Sequence, residues 1–163
     1  MIQLSAETIN SRSPYKVTKE DNNIFIFKTK YGIVYSAGFI QDTSFYKDGV
    51  YQFFLINKSH KTGRKDENIY ETVRVIIEEF FAQNESVMLY ICDTTDGRQA
   101  SRDRLFRAWF HSYIESESYT MCTDTMTIDN IRYFSSILMR KDYPKLIQVL
   151  SSFHNFTKEH SQE

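Results

Sequence analysis

VMLYICDTTDGRQASRDRLFRAWF, Val87 to Phe110, is the stretch on which the fold turns. Val87 to Cys92 is a nearly continuous apolar run, which suits a central strand covered on both faces. TTDG reads as a turn. From about Gln99 to Glu115 the spacing predicts a helix, with Leu105, Phe106, Trp109, Phe110 and Tyr113 on its buried stripe. A strand that exits into a helix gathers side chains and backbone N–H groups at one point, which suits anions or catalytic groups.

Upstream, Ile24 to Phe27 reads as a strand, TKYG as a turn and Ile33 to Ile40 as the second strand of a hairpin. Tyr51 to Ile56 is a third strand. Asp66 then caps a helix whose apolar stripe runs Ile69, Tyr70, Val73, Ile76, Ile77, Phe80, Phe81. Downstream, residues 119 to 128 and 131 to 141 read as two strands joined at Asp129-Asn130. Asp142 and Pro144 open a last helix carrying Leu146, Ile147, Val149, Leu150, Phe153 and Phe156. Strands that come grouped as well as alternating with helices imply α+β. The expected architecture is a single, mostly antiparallel sheet of five or six strands with three helices, in the order βββαβαββα.

A chain of 163 residues suits one domain with a full core, spanning 1–163. Residues 1–14, with at most a short edge strand, and 159–163 are expected to be weakly ordered. Five Gly, two Pro and 41% hydrophobic residues exclude extensive disorder. The 13 Phe and 11 Tyr are read mainly as core and sheet face, with the remainder available to a partner surface.

With 20 Lys plus Arg against 21 Asp plus Glu, wholesale binding to a polyanion is not favoured. Cys92 and Cys122 have no neighbouring Cys or His at zinc spacing, so free buried thiols in a reducing, cytoplasmic compartment are expected. The N-terminal residues lack a signal-peptide core and no apolar run reaches membrane-spanning length, so no membrane is expected as a partner.

Two constellations carry the chemistry that the sequence offers. The first is Asp93, Asp96, Arg98 and Arg102. Arg98 and Arg102, four apart on a helix, share a side and lean toward the sheet, whereas Arg104 and Arg107 point to solvent. They either grip a phosphate or carboxylate beside the helix start, or pair with Asp93 or Asp96 and staple strand to helix. The architectural reading is preferred, because two aspartates repel an anion unless already neutralised. The second is a basic surface of Lys58, Lys61, Arg64 and Lys65, with Arg104 and Arg107 if the two regions meet. Interleaved Tyr would then suit single-stranded nucleic acid, although a solvated loop is the plainer reading. No catalytic residue, metal site or cofactor is expected, since no nucleophile, zinc or phosphate-loop signature occurs.

LYICDTTDGRQASRDRLFRAWF, with ENIYETVRVIIEEFF upstream, resembles a family of small bacterial proteins classed as a domain of unknown function. That family's pattern joins a T-x-x-G-x-x-Y hairpin, a helix ending in FF, an [IL]-Y-[IV]-C-[DS] strand and a D-G-R-Q-x-x-R-x-R-x-F-x-x-W-F helix. The matching residues are Thr29, Gly32, Tyr35, Phe80, Phe81, Tyr90, Cys92, Asp93, Asp96, Gly97, Arg98, Gln99, Arg102, Arg104, Phe106, Trp109 and Phe110, over roughly residues 24 to 115. The resemblance implies a bacterial cytosolic protein and no activity. Missing catalytic signatures, high Tyr and Phe content and modest size point to a non-enzymatic role: association with an unknown protein partner or with itself, as a two-fold homodimer. Binding of a phosphate-bearing ligand, nucleotide or nucleic acid at Arg98 and Arg102 is the alternative, and an enzyme of unknown class the third reading.

Overall fold

Alternation and helical spacing translate into eleven elements in a computed structural model that describes residues 2–92, 94–95, 97–113 and 117–161. In chain order they are α1 (Ala6–Asn10), β1 (Thr18–Asp21), β2 (Ile24–Lys28), β3 (Val34–Gln41), β4 (Val50–Asn57), α2 (Glu67–Gln83), β5 (Val87–Ile91), α3 (Gln99–Tyr113), β6 (Tyr119–Ile128), β7 (Ile131–Arg140) and α4 (Leu146–Glu159). The strands form a seven-stranded sheet in the order β1-β2-β3-β4-β5-β7-β6.

This corrects the expected five or six strands, three helices and order βββαβαββα. The fold is α+β, but the sheet is mixed: β4 and β5 run parallel, with Val50 opposite Val87 and Gln52 opposite Leu89. A parallel neighbour needs a crossover, and α2 supplies it between the two strands. The missed elements have a physical reason. All four β1 residues, TKED, are exposed, so the strand has no apolar alternation to read. α1 has five residues, too few to display a period.

The chain forms two compact units, Met1–Ile40 with Phe53–Glu85, and Gln41–Gln52 with Ser86–Glu163. In the first, β2 and β3 form a hairpin from Ile24↔Gly38 to Lys28↔Val34. Gly38 is obligatory here, because a Cβ would lie 2.4 Å from the Asn23 carbonyl oxygen. Phe39 stacks on Phe80 of α2 at 4.3 Å and meets Phe53 at 5.4 Å, which fixes the face that these strands turn to the helix. Asp66 caps α2 as expected, accepting from the Asn68 N–H at 3.0 Å. The short α1 is capped by Ser5, buries Ile9 and packs against α2.

In the second unit, Val50, Val87, Leu89, Ile137 and Met139 pack with Val149 and Phe153 of α4. On the opposite face of β5, Tyr90 stacks on Phe106 of α3, rings 4.3 Å apart. β5 therefore carries a helix on each face, which explains its apolar run. Ile147, expected on the buried stripe of α4, is 70% exposed. Among the described residues, no helix is long and apolar enough to cross a membrane.

Candidate functional site at the β5–α3 junction

β5 delivers Cys92 to the end of the sheet, where its N–H donates to the Phe134 carbonyl at 3.1 Å. A turn closes with Gly97 N–H donating to Thr94 at 3.2 Å, and Gly97 adopts φ +71°, a conformation that suits glycine. α3 then begins. Asp93 and Asp96 lie outside the described residues. Arg98, expected on the helix and leaning toward the sheet, instead is exposed just before α3, while Arg102 is half-buried on it. Arg104 and Arg107 are exposed, as the helical spacing predicts.

The inward face of α3 differs from the expected stripe. Phe106, Trp109 and Phe110 are buried as expected, but Leu105 is 55% exposed. Asp103 is inside, only 2% exposed, with its Oδ2 held by Arg107 Nη2 at 2.9 Å. Reading charge as a marker of the solvent face hides such a residue. The signal that reveals it is Arg107 one turn later, at the i,i+4 spacing that lets a guanidinium reach back. Gln99, at the start of the helix, donates through Nε2 to the Arg132 carbonyl at 2.8 Å and ties α3 to β7.

These groups set the chemistry of Cys92. Burial pushes its thiol up to about 11, the Asp103 carboxylate adds to the rise and the Arg102 guanidinium opposes it. At neutral pH this holds the sulfur as a protonated thiol, which disfavours a thiolate nucleophile. Cys122 is raised as well, by burial and then by Asp124. Both cysteines are free.

The secondary basic residues divide between the units. Lys58, Lys61, Arg64 and Lys65 are exposed on the loop before α2, in the first unit. Lys58 pairs with Glu20 at 3.6 Å, and Arg64 lies over the Tyr31 ring at 4.5 Å. At the end of this loop Asp66 accepts from the Tyr15 hydroxyl. Burial and that bond raise the Tyr15 pKa, while the Lys30 N–H works against them. Arg104 and Arg107 belong to the second unit.

One arrangement lay outside the sequence reading. Asp124, in the middle of β6, accepts from Thr157 Oγ1 at 2.9 Å and faces His154 Nδ1 at 3.2 Å, both on α4. His154 and Thr157, three apart on one helix face, were the available signal. The Ser135 hydroxyl, opposite Asp124 in the β6–β7 ladder, is buried and has no hydrogen-bond partner among the described residues. It does not reach His154, so the Ser, His and Asp do not form a proton relay. Among the described residues no cluster of His, Cys, Asp and Glu is suited to a metal ion.

No curated protein matches the chain. A family model matches residues 65–155, from the end of the basic loop through α2, β5, α3, β6 and β7 into α4. The β5–α3 junction lies inside this region and the β2–β3 hairpin outside it. With more than half of its length matched, the chain belongs to the family of unknown function DUF6169.

Proposed function

We propose that the protein acts without catalysis, by associating with another polypeptide chain or with a second copy of itself. The observation that carries this reading is an apolar sheet face in the first unit. Alternation turns Phe25, Phe27 and Phe39 toward α2 and leaves Ile24, Ile26, Val34 and Ile40 on the opposite side. Contact of Phe53 with Phe39 puts Phe54 and Ile56 on that side too. Ile40 and Ile56 are 59% and 53% exposed, and the other four are half-buried. Contiguous exposed apolar surface marks interaction sites far more often than scattered residues do. The protonated Cys92 weighs against the nucleophile that an enzymatic reading would need.

A bacterial cytosol is part of the same proposal, supported by two free cysteines that a reducing compartment maintains. The test is cross-linking and sedimentation of the full chain beside an Ile40→Lys/Ile56→Lys variant. The expected result is a defined complex, of two copies or with one stoichiometric partner, that the variant loses. A chain that stays monomeric and captures nothing the variant fails to capture overturns the reading.

Exposure of Arg98 at the start of α3, with Arg102 half-buried beyond it, favours a second reading: a phosphate-bearing ligand held by the two arginines. It predicts a rise in melting temperature with phosphate or nucleotide that Arg98→Ala abolishes, and no such rise in the wild type removes it.

A further inference from the structure

β6 is an edge of the sheet. Its neighbour β7 pairs with it in unbroken register from Tyr119↔Arg140 to Ile128↔Ile131. The register fixes which backbone groups face β7. Asp129 and Asn130 adopt φ +52° and +66°, the two-residue turn with both φ positive, so Ile128 and Ile131 close the hairpin as a hydrogen-bonded pair. Even-numbered residues of β6 therefore bond to β7. Two contacts agree with this phase. The Lys141 N–H donates to the Ser118 carbonyl at 3.0 Å, and the Thr127 N–H turns away from β7 to Ser161 Oγ at 3.1 Å. The N–H and C=O groups of Met121, Thr123 and Thr125 thus point out of the sheet. Among the described residues nothing bonds to them.

The opposite edge shows the contrast. β1 has four residues, three of them charged, and a register shift between Lys19 and Asp21. Shortness, charge and irregularity are the devices that keep an edge from pairing. β6 has ten residues, no Pro, Lys or Arg, and no register shift. Its one charge, Asp124, is engaged by α4.

We propose that β6 pairs antiparallel with β6 of a second copy, about a two-fold axis at Thr123. This rests on the association reading and goes beyond its apolar face, giving the second unit a surface and a partner of its own. The register sets Thr123 opposite Thr123 of the partner subunit and Met121 opposite Thr125 of the partner subunit. A two-fold interface must complement itself, and here no charge meets its own kind: Asp124 falls opposite Cys122 of the partner subunit. The formal net charge of −1 leaves two copies without strong mutual repulsion. A polyanion would need cations that the strand does not have.

The test is sedimentation velocity of the full chain over a concentration series, with circular dichroism to verify that each variant is folded. The wild type is expected to show a monomer–dimer equilibrium. Thr125→Pro removes one outward N–H and leaves the bonds to β7 intact, and should raise the dimer Kd by at least about tenfold. Thr125→Lys, at an exposed position, should act in the same direction. Adding Met121→Glu to Thr125→Lys should restore the dimer, because the register places Glu opposite Lys twice; failure to restore it overturns the Thr123-centred pairing. A wild type that is monomeric throughout overturns self-pairing, and if it binds an extended peptide that Thr125→Pro rejects, a foreign strand replaces the second copy. A dimer unmoved by both Thr125 variants overturns the edge but leaves association intact, with Ile40→Lys/Ile56→Lys then locating it on the apolar face.

Discussion

Asp103 and Arg107 are joined across one turn of α3, the carboxylate almost wholly buried and the guanidinium half in solvent, 2.9 Å apart. The arginine reaches down to an acid that water cannot serve. Arg107→Ala should therefore destabilise the protein by about 1–3 kcal/mol, the cost of leaving a buried polar group without its partner. Arg107→Lys should recover part of that loss, since a point charge replaces a fork. Urea melts of both variants measure the two values, and an unchanged midpoint for Arg107→Ala would show that Asp103 does not depend on the pair.

Two apolar residues of the same helix should behave oppositely. Trp109 is buried against Phe106, ring centroids 5.7 Å apart, so Trp109→Ala should cost about 3–5 kcal/mol. Leu105 faces outward, and Leu105→Ala should stay within about 0.5 kcal/mol of the wild type. Denaturant melts compare them directly.

Stability should fall in alkaline solution through Cys92. Burial pushes its thiol up to about 11 in the folded protein, from an ordinary value of 9.0. Between those values the unfolded chain has lost the proton and the folded one retains it, so folding is favoured below about 9 and that contribution is lost as pH rises toward 11. Cys92→Ser would flatten this part of the profile. Alkylation of Cys92 at neutral pH should require unfolding.

Arg98 and Arg102 separate the architectural and ligand readings. On the architectural reading Arg102→Ala, at a half-buried position, destabilises by about 1–2 kcal/mol, while Arg98→Ala at an exposed one changes little. Undiminished stability in both, with loss of a phosphate-induced melting shift, would instead favour the anion site. Melts with and without phosphate give the answer.

The helices with an apolar stripe were legible. Ile69 to Phe81 fixes α2 and its Asp66 cap, and Phe106, Trp109 and Phe110 fix α3. Partnership between elements was not, since a parallel neighbour leaves no mark on either strand's own pattern. Val50 and Val87 read the same whichever way their strands run. At the junction, Cys92 was legible as an inert buried thiol from its apolar neighbours. Asp103 was not, because a single charge inside a stripe is indistinguishable by spacing from one on its flank until its partner is considered.

The parallel joint between Val50 and Val87 has a consequence for how the chain reaches its native state. The β2–β3 and β6–β7 hairpins close over short turns and can form early, while the joint must wait until the long segment carrying α2 has brought β5 back beside β4. Loss of side-chain volume at Val87 should therefore slow refolding more than an equal loss of stability in the β6–β7 turn. An unfinished chain would hold its hairpins with β4 and β5 still unpaired, and that pairing would set the pace.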